Sequence, residues 1–326
     1  MRCAALNTGP DFHLLDHIAP LADLLKCPLL VTEEKNEALA QRYYPQVTTR
    51  FIPDLEFRLK EIAEQFDALF ECKYWQPHLK LLFQTLYNKD MQLIFCPHGQ
   101  SDKGYEAPLL APYALQDAVL VYGPLMLQML KELQIEIPKH KIVGNYRLAF
   151  YQKYRSFYDS LLPKLDRSMP TLLYAPTWRD LDGASSFFEF GTKVFSELPK
   201  NWNLIVKLHP LLRQRDPHSL EPLLSKTLKP NIFLIEDFPP VYPLLSIADL
   251  YLGDASSIGY DFLYFQKPLY FFPTKKPGRL HACGTIIDTK KNLYSQLDIV
   301  NRHKEQQMHL YTHAFISPVS IPPWEG

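Results

Sequence analysis

The stretch that decides the fold expected for this chain is residues 248–272, ADLYLGDASSIGYDFLYFQKPLYFF. Its apolar run at 250–253 predicts a buried strand, and the aromatic-rich segment that starts at Ile258 predicts a helix. The polar elbow between them, 254–257, would supply the unpaired N–H groups and positive dipole end of a helix N-terminus, which suit a phosphate. The same residue types are common helix caps, so the elbow alone leaves phosphate binding and plain capping open.

Length, charge and cysteine content limit the class of protein. A chain of 326 residues fits two domains of about 150 residues each. Lys plus Arg, at 35, equals Asp plus Glu, at 35, so no overall charge attracts nucleic acid or anionic lipid. Five cysteines without a CxxC pair predict reduced thiols and no cysteine-bound zinc. With neither a signal peptide nor a run of roughly 18 apolar residues, we expect a cytoplasmic protein.

Residues 150–164, FYQKYRSFYDSLLPK, mix aromatic and basic side chains over a predicted helix. Such a helix can pack its aromatic rings between two domains, and it can also lie on a membrane surface. We expect the packing role and keep peripheral contact with the inner face of the membrane as the alternative.

Residues 1–149 predict an N-terminal domain of alternating strands and helices. The segments are apolar runs at 3–6, 28–31, 68–70 and 93–96, and helical stretches at 33–44 and 76–87. This alternation is typical of a parallel sheet covered on both faces, which places the chain in the α/β class. Ligands bind such sheets in the loops that follow the strands.

One of these loops, residues 97–104 (PHGQSDKG), carries groups suited to catalysis. A neutral His98 can take a proton from a hydroxyl, and Lys103 can offer a positive charge to a phosphate oxygen. A surface turn that contains a histidine by chance remains the alternative.

Two histidine pairs have the i, i+4 spacing that can direct two imidazoles toward one metal ion. They are His13 with His17 and His309 with His313. Neither pair has a visible third ligand, so we predict no metal site.

A second unit is expected over 171–300, after a linker helix and connector at 150–170 and before a C-terminal tail at 301–326. Its apolar runs lie at 171–175, 203–208, 232–235, 250–253 and 269–271. Arg179 follows the first run and His209 follows the second. Each could be an ordinary surface residue, but in a doubly wound sheet both would converge with the 254–257 elbow in one crevice. That crevice fits a diphosphate, whereas the absence of GxGxxG and GxxxxGK[ST] argues against a dinucleotide dehydrogenase and a P-loop NTPase.

Four motifs together resemble one known family. HGQSDK (98–103), YAPTWRD (174–180), KLHP (207–210) and DASSIGYDFLYFQKP (254–268) are similar, in order and approximate spacing, to the CDP-glycerol glycerophosphotransferase family. These are the polyol-phosphate transferases of teichoic acid synthesis. The resemblance spans about residues 90–275.

The resemblance implies a glycosyltransferase-B fold, in which two Rossmann-like, doubly wound domains face a central cleft. It implies that His98 is the catalytic base, with Lys103 as the motif's lysine, and that the C-terminal domain holds the nucleotide diphosphate. The residues assigned to donor binding are Thr177, Arg179, His209, Asp254, Ser256 and Ser257. Gln100 and Ala255 depart from the family pattern beside the site, so the identities of donor and acceptor stay open.

The leading hypothesis is a transferase that moves a polyol phosphate from a CDP-activated donor to a hydroxyl acceptor in cell-envelope polymer or glycolipid synthesis. The CDP-linked donor is a substrate, no cofactor or metal is expected, the acceptor can be lipid-linked, and no nucleic-acid partner is expected. One alternative is a glycosyltransferase or sugar epimerase that uses a UDP- or CMP-sugar, with Asp102 as the assisting carboxylate. The other is a non-catalytic nucleotide-binding protein.

Overall fold

A computed structural model describes residues 2–102, 106–178, 185–225, 229–254, 256–316 and 319. Within these residues the chain forms two parallel β-sheets, one of seven strands and one of six, with helices between the strands. The predicted α/β class, with two doubly wound domains, is confirmed.

The N-terminal sheet has the order β3-β2-β1-β4-β5-β6-β7, and every neighbouring pair is parallel. Its strands are β1 (Cys3–Asn7), β2 (Leu29–Val31), β3 (Thr49–Phe51), β4 (Ala68–Glu71), β5 (Gln92–Phe95), β6 (Ala118–Val121) and β7 (His140–Ile142). The helices of this half are α1 (Leu15–Leu25), α2 (Glu34–Tyr43), α3 (Leu59–Gln65), α4 (Pro77–Tyr87), α5 (Ala107–Leu110), α6 (Pro124–Glu132), α7 (Tyr146–Lys153) and α8 (Arg155–Ser160).

The C-terminal sheet has the order β10-β9-β8-β11-β12-β13 and is also parallel throughout. Its strands are β8 (Thr171–Ala175), β9 (Asn203–Lys207), β10 (Ile232–Ile235), β11 (Leu250–Gly253), β12 (Leu269–Phe271) and β13 (Thr285–Ile286). The helices are α9 (Ser186–Ser196), α10 (Pro210–Arg215), α11 (Pro217–Leu224), α12 (Tyr242–Ile247), α13 (Ser257–Phe262) and α14 (Lys304–Ala314).

In both sheets the chain begins with a central strand, adds strands toward one edge, and then returns to add the remaining strands toward the other edge. The order switches between β1 and β4 in the first sheet and between β8 and β11 in the second. Ligands of doubly wound sheets bind at such reversal points, outside the carboxyl ends of the strands. The loops after β1, β4, β8 and β11 are therefore where the topology places a binding site.

Four strands are missing from the sequence-based prediction, namely β3, β6, β7 and β13. Three of them are sheet edges of two or three residues, too short for a hydrophobic period to stand out. The fourth, β6, is the fully buried run AVLV, which satisfies the apolar-run criterion and should have been found.

The aromatic residues of 150–164 pack inside the protein. Phe150, Tyr151 and Tyr158 are buried, and the Tyr158 hydroxyl donates a 2.7 Å hydrogen bond to the carbonyl oxygen of Tyr43. These three rings are not available to a membrane surface, which supports the interdomain packing role, while Tyr154 and Phe157 of the same segment are partly buried. No helix in the described part of the chain is long and apolar enough to cross a membrane.

The segment predicted as a tail, 301–326, begins with helix α14, which leads the chain back to the N-terminal domain. The backbone N–H of Ile316 donates to the carbonyl oxygen of Tyr122 at 3.3 Å, and the Phe315 ring packs on the Tyr122 ring. Residues 317, 318 and 320–326 lie outside the described residues.

A buried arginine joins the two domains. Arg147 of α7 donates from Nη1 to Asp261 of α13 at 2.8 Å, and from Nε to Asp16 of α1 at 3.1 Å. Tyr242 and Tyr44 donate their hydroxyl protons to the same two carboxylates, at 2.8 and 3.2 Å. Because a buried charge is tolerated only when it is paired and hydrogen-bonded, this network fixes three helices relative to one another.

We predict that Arg147→Met lowers the free energy of unfolding by about 3–5 kcal/mol, since it leaves two buried carboxylates without their cation. Urea unfolding at pH 7 measures this loss. Arg155→Met is the matched control, because Arg155 forms an exposed pair with Asp159 and should cost at most about 1 kcal/mol. Equal losses in the two variants would contradict a structural role for the buried network.

Candidate functional site

A cavity of about 650 Å³ lies between the carboxyl ends of the two sheets. Residues that follow β1, β4 and β5 line one side of it, and residues that follow β8, β9 and β11 line the other. The predicted site residues that line it are His98, Thr177, His209, Ser256 and Ser257. The convergence expected from the strand order is therefore present for these five.

His98 stands in the cavity wall, three residues after the end of β5. Its side chain is open to water through the cavity, yet it lies deep in the cleft with protein on the other sides. This surrounding protein lowers the pKa of His98, while a hydrogen bond to the backbone of Cys72 opposes the shift. A ring that donates one N–H to a carbonyl oxygen keeps its other nitrogen unprotonated, which is the form a general base requires.

Gly99 brings the His98 loop into direct contact with the elbow of the other domain. Its φ of +103° is strained for other residues, and a Cβ built there would lie 2.8 Å from Cβ of Ser257. The glycine therefore allows the His98 loop of the N-terminal domain and the elbow of the C-terminal domain to meet at van der Waals distance.

The elbow itself has two functions. Ser256 is the N-cap of α13, and its hydroxyl oxygen accepts a 3.4 Å hydrogen bond from the Ile258 N–H. The elbow therefore does cap the helix, as one of the two sequence-based interpretations predicts. Asp254 is buried and accepts from the backbone N–H groups of Thr177 and Ser186, at 2.9 and 3.2 Å. Asp254 thus shapes the loop after β8 and does not line the cavity. This corrects the prediction that Asp254 contacts the nucleotide-diphosphate substrate.

His209 is the N-cap of α10, and its Nδ1 accepts the N–H of Leu211 at 3.2 Å. The neutral ring must then carry its proton on Nε2. The local fold therefore selects the tautomer that makes Nε2 a hydrogen-bond donor.

Asp102 does not occupy the catalytic position that the sequence analysis gave it. Its carboxylate accepts hydrogen bonds from the Tyr260 hydroxyl and the Leu280 N–H, at 2.8 and 2.9 Å, and Arg279 lies 3.9 Å away. A Cβ on Gly278 would overlap with it. Asp102 anchors the His98 loop to the C-terminal domain and is absent from the cavity lining.

Two of the predicted site residues, Lys103 and Arg179, lie outside the described residues. Their assignments remain predictions from the sequence.

Two further imidazoles, predicted from the sequence only as a potential metal pair, lie at the site: His13 lines the cavity, and His17 is buried beside His98. The His13 ring lies 4.9 Å from the His209 ring, and the His17 ring lies 6.2 Å edge-on from the His98 ring. His17 is fixed by a 3.0 Å hydrogen bond between its Nδ1 and the Tyr122 hydroxyl. Within the described ranges, no group of three or more His, Cys, Asp or Glu side chains could hold a metal ion.

Burial and neighbouring positive groups lower the pKa of several cleft residues. For His13, burial and then His98 lower it to about 4, and for His17, burial and then Arg147 place it well below its ordinary value. Burial also lowers the pKa of Lys207, at the end of β9, to about 8. The position of His13 in the segment after β1 could have identified it from the sequence as a candidate site residue, because ligands bind beyond the carboxyl ends of such strands.

Solved structures share this architecture. The wall teichoic acid polymerase TagF superposes with a TM-score of 0.64 at 14% identity, covering 96% of this chain and 84% of that chain. The Staphylococcus aureus MnaA–UDP structure gives 0.60 at 15% identity, covering 97% and 92%. The fold and its cleft therefore define a two-domain protein of the glycosyltransferase-B type.

Sequence similarity gives the family. Residues 152–312 match the model described as CDP-Glycerol:Poly(glycerophosphate) glycerophosphotransferase. The chain is 32% identical over 104 residues to the teichoic acid glycerol-phosphate primase of Bacillus spizizenii, and 28% identical over 110 residues to the teichoic acid ribitol-phosphate polymerase TarL of Staphylococcus aureus. Each alignment covers 31% of this chain, and only 24% and 18% of the two relatives. Over residues 152–312 the chain is therefore similar to the CDP-glycerol:poly(glycerophosphate) glycerophosphotransferase family, as the three motifs within this range predict.

We predict that Gly99→Ala lowers the free energy of unfolding by about 1–3 kcal/mol, because alanine is strained at this φ and its Cβ meets Ser257. The double variant Gly99→Ala/Ser257→Gly removes the contact and keeps the strain. It should be more stable than the sum of the single effects by at least about 0.5 kcal/mol in denaturant titrations. Strict additivity would show that the two loops do not touch in solution.

Proposed function

We propose that this protein transfers a polyol phosphate from a CDP-activated donor, CDP-glycerol or a close analogue, to a hydroxyl acceptor. The observation that carries the proposal is the contact between the base loop and the elbow through Gly99 and Ser257. It brings His98, on one domain, close to the elbow of the other, which is the proposed phosphate-binding segment. The similarity to this family over 152–312 supports the same reaction class.

In the proposed reaction the acceptor oxygen attacks the phosphorus distal to the cytidine. The new P–O bond forms as the bond to the CMP oxygen breaks, and His98 takes the proton of the acceptor hydroxyl. The Cys72 backbone holds the ring so that one nitrogen stays available to that proton. CMP leaves as the anion, so its charge must be stabilised on the donor side of the cleft.

The proposed donor contacts are His209, Thr177 and Ser257, all of which line the cavity. The Nε2–H of His209 is a suitable donor to a phosphate oxygen. Helix α13 has only six residues, so its dipole is short and the Ser257 hydroxyl with the nearby backbone N–H groups would provide most of the interaction. Arg179 is retained as a donor contact on the sequence argument alone.

The acceptor is proposed to enter on the N-terminal side, where the cavity wall is mainly aromatic and aliphatic. Tyr74, Phe95 and Tyr113 pack with ring separations of 4.7 to 5.6 Å, and Met126 and Met129 lie beside them. The family description names poly(glycerophosphate) as acceptor. We propose a hydroxyl-bearing cell-envelope polymer or glycolipid for this chain.

The alternative of a nucleotide-sugar enzyme relied on Asp102 as its assisting carboxylate. Tyr260 and Leu280 hold that carboxylate outside the cavity, which argues against this role.

We also propose a cytoplasmic location, which is supported by the five cysteines being free thiols.

Release of free nucleotide from a panel of CDP-polyols, UDP-sugars and CMP-sugars tests the proposal. We expect turnover with a CDP-polyol, and a loss of about 10²- to 10⁴-fold in His98→Ala, the range for removal of a general base. His309→Ala, on the exposed face of α14, is the control and should retain full turnover. Preference for a sugar nucleotide, or an active His98→Ala variant, would overturn the assignment.

The pH dependence follows from the lowered pKa of His98. Since the base must be unprotonated, kcat/KM should be flat near pH 7 and fall only below about pH 6.5, the ordinary pKa of histidine. Bound phosphates favour the protonated ring, so the acid limb of kcat should lie at higher pH than that of kcat/KM. Initial rates from pH 4.5 to 8 give both profiles. Coincident limbs above pH 7 would exclude His98 as the base.

A further inference from the structure

His13 lies at the junction between the two halves of the cleft. It belongs to a single 3-10 turn, Phe12–Leu14, in the segment that follows β1, and its buried neighbours Phe12 and Leu14 hold the turn in place. The imidazole itself lines the cavity. The turn is thus anchored on both sides while His13 faces the site.

The ring packs beside His209 and lies near His98. Its centroid is 4.9 Å from that of His209, and it is close enough to His98 for the two imidazoles to influence each other's charge. Phosphoryl transfer has to occur between these two residues, because His98 is the proposed base and His209 the proposed donor contact. His13 therefore stands beside the path of the moving phosphorus.

The two ring nitrogens of His13 differ in their access to the cavity. Nδ1 is out of contact with solvent and has no hydrogen-bond partner, as is true of six other buried side-chain atoms in the described residues. Nε2 is not among these buried atoms, and the residue lines the cavity. Nε2 is therefore the nitrogen that a ligand in the cavity can reach.

The charge state of His13 suits this position. Burial, His98, Lys207 and Lys73 lower its pKa to about 4 against the opposing effect of Asp11, so the ring is neutral at pH 7. A neutral ring donates one hydrogen bond without adding a positive charge that would weaken His98 as a base.

We propose that His13 is a further catalytic residue, which donates a hydrogen bond from its ring to an oxygen of the transferring phosphoryl group. This role rests on the proposed function, and the hydrogen bond would stabilise the transition state of the transfer. The P–O bond to CMP breaks, the bond to the acceptor oxygen forms, and the acceptor proton moves to His98. The proton of His13 stays on its ring, so His13 acts by stabilising charge and not by proton transfer.

The test compares His13→Ala, His13→Asn and His13→Gln with His309→Gln as the exposed control. Removing a preorganised donor to a developing oxyanion typically costs about 10²- to 10³-fold in kcat, which is expected for His13→Ala. An amide can replace one ring nitrogen as a donor, so either Asn or Gln should recover at least tenfold over Ala. Thermal melts check that all four variants fold.

Donor affinity separates a transition-state role from simple binding. Calorimetry with CDP-glycerol in the His98→Ala background, where turnover is suppressed, should show less than a threefold change on adding His13→Ala. A loss that appears entirely in the dissociation constant would overturn the proposal, as would wild-type kcat in His13→Ala or failure of both amides to rescue. If the wild-type protein turns over no CDP-polyol, the proposed function fails and this proposal with it, which is a distinct result.

Discussion

The buried pairing of Arg147 with two carboxylates is the constraint on which the cleft depends. Its partners are Asp16 in α1 and Asp261 in α13. Asp16 lies three residues after His13 and one before His17, and Asp261 lies four residues after Ser257. The arginine therefore ties together the helix that follows the imidazole turn and the helix that follows the elbow. Because both carboxylates need the same guanidinium, the separation of the two cleft walls is set by an ion network inside the core.

The electrostatics of the cleft follow from this arrangement. Four imidazoles, those of His13, His17, His98 and His209, share the interdomain space with the buried ammonium of Lys207. Burial lowers the pKa values of His13, His17, His98 and Lys207 and so favours their neutral forms, and neighbouring imidazoles add to this effect for His13 and His17. The negative charge of a diphosphate entering the cleft would raise these pKa values again in part. In the proposed reaction, donor binding would therefore make His98 a stronger base.

Much of this architecture can be predicted from the sequence, because parallel sheets leave clear signals. Buried strands such as Leu250–Gly253 are continuous apolar runs, and the residues after them, among them His98, His209 and Ser257, lie at one edge by topology alone. Edge strands of two or three residues are too short to form such an apolar run, which explains why β3, β7 and β13 are missed. Side-chain direction is also not encoded in spacing. Asp102 and Asp254 stand in the right loops, but their carboxylates turn to backbone N–H groups, and His13 becomes a cleft residue only through the facing domain.

A crystal structure with a bound cytidine nucleotide tests the central claim most directly, because the claim concerns where the phosphates sit between the domains. The account predicts a diphosphate in the cavity, within hydrogen-bond distance of His209 Nε2 and the Ser257 hydroxyl. Its terminal phosphorus should face His98 across the contact with Gly99. Electron density for the nucleotide outside this cavity, or phosphates that touch neither His209 nor Ser257, would contradict it.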